Sequence, residues 1–370
     1  MQDLSIYIHI PFCEQKCHYC AFNSFCANEK MREDYVDLLC EELIRRKVDL
    51  PIKTIYIGGG TPSLLTEKQI EKIVGVLYKN YNVFEDAEFT IEANPNSLNE
   101  SLLKKWKSLR INRISIGVQT LNDKSLKKLG RLHDSKMAIE KVKLARKFFD
   151  NVSIDLLIGL EHEKNVCRYA REMLRLKVKH ISCYLLEVYE NTKLDQMIKT
   201  GNYLPLDDDK TIIAFNKLAN YLKDMGLERY EISNFSFPGY ESKHNLNYWS
   251  RGQYLGFGLS AHSFYNNIRS KNADKLDDYK SGIVECENIS KKDEIEEIIM
   301  LGLRCKLGVD IEKLKEFGYD ISKNSYYLDY LNQGILKQTD NFLYLNEIFY
   351  HISNTIISNL LPWCGVVCFA

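Results

Sequence analysis

Six short runs in the first half of the chain are dense in Ile, Val, Tyr, Phe and Leu: residues 5–10, 54–58, 88–92, 113–118, 152–158 and 180–186. Gly, Pro, Asn or charged residues bound each run, which is the pattern of a strand between turns. The stretches between them change period. In 33–48, 67–78, 100–108, 135–148 and 166–176 apolar residues recur at three- and four-residue steps, as on one face of a helix. Strands separated by helices predict repeated β-α units and a parallel sheet. Right-handed crossovers curl such a sheet into a full or partial barrel.

After about residue 205 the alternation fades. A helix over 209–225 leads into 230–264, which is rich in Asn, Gly, Tyr, Phe and His and reads as loop. A helix over 291–303 follows, then a smaller α/β unit with a helix at 311–317 and a strand pair near 335–345. The expected fold class is α/β: a partial (β/α)6 barrel over 1–235, a connecting segment over 236–279, and a small winged-helix-like C-terminal α/β domain over 280–370.

Composition narrows the class. Of 370 residues 45% are apolar and 27% charged, enough to bury a large core. Lys plus Arg and Asp plus Glu number 50 each, so no charge excess points to nucleic acid. Lys104, Lys105 and Lys107 read as a solvated helix face. The start lacks a secretory signal, and no apolar run reaches the roughly 18–20 residues of a membrane span. Residues 356–370 are apolar but interrupted by Ser358, Asn359 and Pro362; they read as a packed terminal segment, with peripheral membrane contact as the alternative. Eleven cysteines, an odd number in a long chain, argue for a reducing compartment and a cytoplasmic location.

Four of those cysteines lie between residues 13 and 26, and three form a C-x3-C-x2-C loop directly after the first strand: Cys13, Cys17 and Cys20. Thiolates are the usual ligands of iron–sulfur clusters, and a cubane normally takes four. Three leave one iron open, as a reactive metal site requires. That iron can accept the amino and carboxylate groups of S-adenosylmethionine, whose sulfonium one electron then cleaves. The bland alternative is zinc, with His18 or Cys26 as a fourth ligand. Cys26 is read as an incidental thiol, because a closed cluster has no place for the cofactor.

In β/α barrels function collects at the C-terminal strand ends, where the other distinctive residues of this chain fall. Gly58-Gly59-Gly60-Thr61-Pro62 ends the second strand and lets backbone approach a ligand closely. Glu92 closes the third strand, before Asn94-Pro95, and suits a ribose or an ammonium. Gln119 ends the fourth. Arg131 can pair with a carboxylate, although a surface ion pair explains it equally well. Asp155, between Ile154 and Leu156, is a charge in a buried-looking strand and needs a partner.

These residues together resemble a known family. Tyr-Ile-His-Ile-Pro-Phe-Cys-x3-Cys-x2-Cys from Tyr7, Gly-Gly-Gly-Thr-Pro, Glu-Ala-Asn-Pro, Ser-Ile-Gly-Val-Gln-Thr, Leu-Gly-Arg-Leu-His and Ser-Ile-Asp-Leu-Leu are similar to radical S-adenosylmethionine enzymes related to oxygen-independent coproporphyrinogen III oxidase. The resemblance implies a [4Fe–4S] cluster on Cys13, Cys17 and Cys20. It also implies an S-adenosyl-L-methionine pocket lined by Tyr7, Tyr19, Gly59, Gly60, Thr61, Glu92, Gln119, Arg131 and Asp155. Two places depart from the pattern: Gly159-Leu160-Glu161-His162 stands where the family has Gly-Leu-Pro-Gly, and the last nine residues are unlike a family ending.

Within this group the chain is closer to a haem chaperone branch than to the oxidase. The oxidase carries a fourth cysteine where this chain has Phe22, and an extension before its cluster. His244-Asn245-Leu246-Asn247-Tyr248-Trp249 resembles an element associated with haem binding in the chaperone branch. His244 is then a candidate haem-iron ligand, with Tyr248 and Trp249 as stacking surface; a structural histidine in an aromatic loop is the alternative. His9 and His262 are weaker candidates. The expected function is haem binding and delivery to acceptor proteins, with an electron donor for the cluster and a homodimer left open. Oxidative decarboxylation of coproporphyrinogen III and a zinc-stabilised binding module are the competing readings.

Overall fold

The computed structural model describes residues 3–163 and 165–361. Six parallel strands form the centre of the molecule: β1 (Leu4–Ile10), β2 (Pro51–Gly59), β3 (Asn82–Ala93), β4 (Arg113–Gln119), β5 (Asn151–Ile158) and β6 (His180–Leu185). Between them run α1 (Glu29–Arg45), α2 (Glu67–Asn80), α3 (Glu100–Ser108), α4 (Asp123–Lys128), α5 (Ser135–Ala145) and α6 (Val166–Arg175). Local chemistry sets their starts. Asn28, Asn99, Asp134 and Asn165 each accept a bond from a first-turn amide, and Thr66 with Gln69 forms a capping box.

Side chains alternate across a strand, and all six strands use this in one way. Ile6, Ile8, Ile55, Ile57, Ile91, Ile116 and Ile154 are buried in the main hydrophobic core with the helices. The intervening positions are polar: Ser5 and Tyr7, Thr54 and Tyr56, Glu88 and Glu92, Arg113 and Ser115, Ser153 and Asp155, His180 and Ser182. Contacts among them cross from strand to strand, as in Thr54 to Ser5 (2.8 Å), Tyr56 to Glu92 (2.7 Å), Ser115 to Asp155 (3.2 Å) and Ser153 to His180 (2.7 Å). The curled sheet therefore has an apolar convex face and a polar concave one. The barrel does not close, as the partial-barrel expectation required.

The sheet is wider than six strands. After α7 (Lys193–Lys199) and α8 (Asp208–Asp224), β7 (Glu228–Arg229) and β8 (Asn234–Ser236) add antiparallel at the β6 edge. Following α9 (Lys243–Trp249), β9 (Tyr254–Phe257) joins β1 in parallel, and β10 (His262–Tyr265), β11 (Ile268–Asn272) and, after α10 (Leu276–Lys280), β12 (Val284–Asn288) continue that edge. The stretch 230–264, expected as loop, thus supplies strands and a helix. Buried Glu42 holds the β9 edge to α1: it accepts from Arg46, Asn272, Gly258 N and Tyr279 Oη at 2.7–2.8 Å.

A second core joins α11 (Lys291–Gly302), β13 (Val309–Asp310), α12 (Ile311–Glu316), α13 (Tyr327–Asn332), β14 (Leu336–Thr339), β15 (Phe342–Leu345) and α14 (Ser353–Leu360). Helix, strand, two helices and two strands are the order of a winged-helix unit. The terminal residues 362–370 of the apolar tail lie outside the described residues. Among those described, no helix is long and apolar enough to cross a membrane.

Candidate functional site

A cavity of about 710 Å³ opens at the C-terminal ends of β1–β6. It brings together residues from across the chain: Cys13, Cys17, Tyr19, Cys20, Gly59, Gly60, Thr61, Glu92, Gln119, Arg131 and Asp155 all line it. Of the residues expected at the site, Tyr7 and His244 do not.

The cysteine loop is held at both ends and in the middle. Cys13 N donates to Phe25 O (3.0 Å) and Phe25 N to Pro11 O (2.8 Å). His18 bonds to Leu129 O through its amide (2.9 Å) and to Lys128 O through Nδ1 (2.8 Å). All three thiols are free and partly buried. Burial raises the Cys20 thiol pKa, and the neighbouring Cys17 and Cys13 push it the same way. Cys26 is exposed and donates to Glu14 O, off the cavity wall.

Two donors reach the cysteine sulfurs. Arg131 Nη1 lies 3.3 Å from Cys17 Sγ, and Thr61 Oγ1 lies 3.6 Å from Cys13 Sγ. Asn94 joins them: its Oδ1 accepts from Arg131 Nη2 (2.7 Å) and its Nδ2 donates to Thr61 Oγ1 (2.9 Å). Arg131 also donates to Gly117 O (2.7 Å). The sequence singled out Arg131 and Thr61; Asn94 was visible in Glu-Ala-Asn-Pro but had no assigned role.

The triple glycine serves packing as well as access. A Cβ on Gly60 would stand 2.7 Å from Phe12 O, and one on Gly59, whose φ is +109°, would stand 2.5 Å from the His9 ring. Their amides are already bonded, Gly60 N to Ile10 O and Gly59 N to Glu92 Oε2. The glycines therefore seat the cysteine loop against β2 directly. Gln119, at φ +67°, is a non-glycine residue in the left-handed region, at a register shift between β4 and β5. Such strain concentrates at functional positions.

The carboxylates sit deep. Glu92 accepts from Tyr56 Oη and Gly59 N, yet burial pushes its pKa from 4.5 up to about 7, with nearby Asp155 adding to the rise. Asp155 is likewise raised by burial, against the bonds from Ser182 and Ser115. Arg113, only 2% exposed on the same concave face, pulls both carboxyls the other way and was not legible in the sequence because it begins an apolar strand. Tyr7 lies below the cavity floor, stacked on Tyr56 and bonded to His9 Nδ1 (3.0 Å).

His244 does not line this cavity. It is 1% exposed, at the opposite end of the barrel. Its Nδ1 meets Thr54 Oγ1 at 2.7 Å and its Nε2 meets Tyr248 Oη at 2.9 Å. The Glu88 carboxylate accepts from the amides of Lys243 and His244, both at 3.0 Å, and so caps α9 against the sheet. Thr54 and Glu88 precede Gly59 and Glu92 by five and four residues, which at about 3.3 Å per residue puts them roughly 13–16 Å below the rim. Burial and Arg113 hold the His244 pKa down to about 3. Both ring nitrogens are engaged, and the imidazole is neutral. His9 is engaged too, by Tyr7 and Asn23 O.

Among the described residues no three His, Cys, Asp or Glu side chains converge closely enough to hold a single metal ion. Zinc would gather its sulfurs within about 2.3 Å of one centre, whereas cluster thiolates bind separate irons. Three thiols on one cavity wall, hydrogen-bond donors to two of them, and glycines that let the loop approach fit a cluster with an open corner.

Fold and site together define a protein of the radical S-adenosylmethionine class. The radical SAM superfamily model matches residues 7–177, and the HemN C-terminal domain model matches residues 289–347. Heme chaperone HemW of Lactococcus lactis subsp. lactis is 32% identical over 96% of this chain and 97% of its own length; that of Bacillus subtilis is 34% identical over 93% and 98%. The chain belongs to the HemW family. Its fold is also that of the Escherichia coli coproporphyrinogen III oxidase HemN, with a TM-score of 0.82 at 19% identity, covering 98% of this chain and 90% of that one. Members of the class carry a [4Fe–4S] cluster and S-adenosylmethionine.

Proposed function

We propose that this chain is a haem chaperone: it binds haem and delivers it to acceptor proteins, while holding a [4Fe–4S] cluster on Cys13, Cys17 and Cys20 and S-adenosylmethionine beside it. The observation that carries this reading is full-length similarity to relatives named heme chaperone, combined with Phe22 at the position of the oxidase's fourth cysteine. Likeness to the oxidase at 19% identity speaks for the fold alone.

When bound, the cluster supplies the single electron that cleaves the cofactor's sulfonium. The protein's own part is positioning. Arg131 and Thr61 direct donors at Cys17 and Cys13, and such bonds to sulfur tune a cluster's potential. Glu92 and Asp155 offer acceptors for the ribose and the ammonium, and Gln119 is poised at the same rim. Tyr19, partly buried beside Arg131, closes the loop side of the cavity. We place Tyr7 one layer below, as a support for Tyr56.

We further propose two working units, the sheet body through about residue 288 and the unit built on the second core. A cytoplasmic location is supported by the eleven cysteines, nine of which are free among the described residues. The acceptor proteins, the electron donor and a homodimer belong to the same proposal. The test is an anaerobic haem titration of reconstituted protein, with product analysis for coproporphyrinogen III turnover. Saturable Soret change near one haem per chain and no protoporphyrinogen are expected. Absence of saturable binding, or formation of protoporphyrinogen with dithionite and cofactor, would overturn the reading.

A further inference from the structure

The concave face of the sheet carries a charge that the cavity wall does not include. Arg113 starts β4, is 2% exposed and does not line the cavity. Its Nε is buried and meets no partner among the described residues. A guanidinium stays charged in a folded protein, and burying that charge is costly unless opposite charge answers it.

Register shows what answers it. Arg113 pairs with Thr90 on β3 and with Asn151 on β5. Glu92 lies two residues beyond Thr90, opposite Ser115, and Asp155 lies four residues beyond Asn151. Alternate residues share a face, and at about 3.3 Å per residue the two acids stand roughly 7 and 13 Å further along their strands, toward the cavity. The concave positions between them on β4 and β5 are small, Ser115 and Ser153. The acids take their hydrogen bonds from other groups: Glu92 from Tyr56 Oη and Gly59 N, Asp155 from Ser115 Oγ. Glu88, the other acid of this face, is turned to the amides of Lys243 and His244.

We infer that Arg113 is a positioning residue for S-adenosylmethionine: from beneath the cavity its fixed charge holds Glu92 and Asp155 in the carboxylate form that the ribose hydroxyls and ammonium of the cofactor require. This rests on the cofactor reading above and adds a residue outside the cavity wall.

The need for such a charge follows from the burial of the pair. Burial raises both carboxyls, and Asp155 raises Glu92 further, to about 7. A protonated carboxyl gives up acceptor capacity and the charge that draws a cation. Tyr7, Tyr56 and Tyr184 face the pair from β1, β2 and β6, and Tyr19 faces it from the cysteine loop. Burial drives all four phenols further from ionisation, so they add no charge. Arg131 draws Asp155 down, but its guanidinium is spent on Cys17, Asn94 and Gly117 O. Arg113 draws down both.

The experiment uses the full chain with its cluster reconstituted anaerobically. S-Adenosylmethionine affinity is measured by equilibrium dialysis from pH 6 to pH 9 for wild type, Arg113→Met and Arg113→Lys. Methionine is long and uncharged and leaves no buried donor unmet. Affinity of wild type should rise with pH and level off above about 7, as Glu92 ionises. Without the cation the carboxyls hold their protons longer, so in Arg113→Met the rise should move up by about one pH unit. Binding should then be roughly fivefold weaker at pH 7, and equal or tighter at pH 9, where both carboxyls are ionised and a repelling cation is gone. Arg113→Lys should keep the wild-type profile. The amino group of the cofactor titrates alike in all three proteins, so differences between profiles report the protein. Should Arg113→Met not fold, Arg113→Gln carries the same expectation. Weakening that is equal at every pH, or that lysine does not restore, would overturn the proposal in favour of a purely structural arginine. If wild type binds and the profiles coincide, the cofactor reading stands and Arg113 has no part in it. If wild type itself binds no S-adenosylmethionine, the cofactor reading fails.

Discussion

Glu92→Gln should make the cluster-free chain more stable above neutral pH and not below it. In the unfolded chain the Glu92 carboxyl ionises near 4.5; in the folded chain burial holds it protonated up to about 7. Below 4.5 both states are protonated and the difference is silent. Between 4.5 and 7 the unfolded state loses its proton first, so stability falls as pH rises, and the loss is complete above 7. A rise from 4.5 to about 7 corresponds to about 3 kcal/mol at about 1.4 kcal/mol per pH unit. Glutamine escapes this loss. Its carbonyl can still accept from Tyr56 Oη, but its NH₂ meets Gly59 N–H, where Glu92 now accepts at 3.1 Å. One unmet buried donor costs about 1–2 kcal/mol. The variant should therefore be about 2 kcal/mol more stable at pH 8, and equal or slightly less stable at pH 5. Urea unfolding of the two cluster-free proteins across that range measures the gap, with no cofactor binding to shift it. A gap that does not move with pH, or a variant less stable at pH 8, refutes the buried-acid argument. Stability gained where a buried charge is removed is the usual exchange at a binding site.

Replacing Cys13, Cys17 or Cys20 by Ala should each drop iron and sulfide well below the roughly four per chain of a cubane, whereas Cys26→Ala should not; metal analysis after anaerobic reconstitution decides. Gly60→Ala places a Cβ 2.7 Å from Phe12 O and should lower the melting temperature and disturb the cysteine loop. Gly75→Ala, with nothing within 4 Å and a position inside α2, should instead gain about 0.5–1 kcal/mol, and thermal melts compare the two. Asn94→Ala frees Arg131 and Thr61 from their shared anchor. Losing about 1 kcal/mol of donor bonding to the thiolates should lower the cluster's potential by roughly 40 mV for a one-electron couple, read by EPR-monitored redox titration.

The rim was legible because its signals are local. Cysteine spacing, a glycine run at a strand end, a carboxylate before Asn-Pro and an aspartate between aliphatics each announce themselves within a few residues. The β-α alternation then predicts that all of them meet at one end of a barrel. Tyr7 illustrates the limit: its strand and face were legible, but its contacts with Tyr56 and His9 were not. Asn94 lies within Glu-Ala-Asn-Pro, yet its role as the joint between Thr61 and Arg131 depends on three strand ends converging.

The sequence by itself determined the six central strands, their helices, the cysteine loop and the polar rim, since periods of two and three-to-four residues encode which side of an element is buried. Only the tertiary structure decided that 254–288 widens the sheet, that His244 has both nitrogens bonded, and that Arg113 shares a concave face with Glu92 and Asp155. The reason is range. A histidine's chemistry depends on which distant groups reach its two nitrogens, and strand register 190 residues away, at Thr54, answered that for His244.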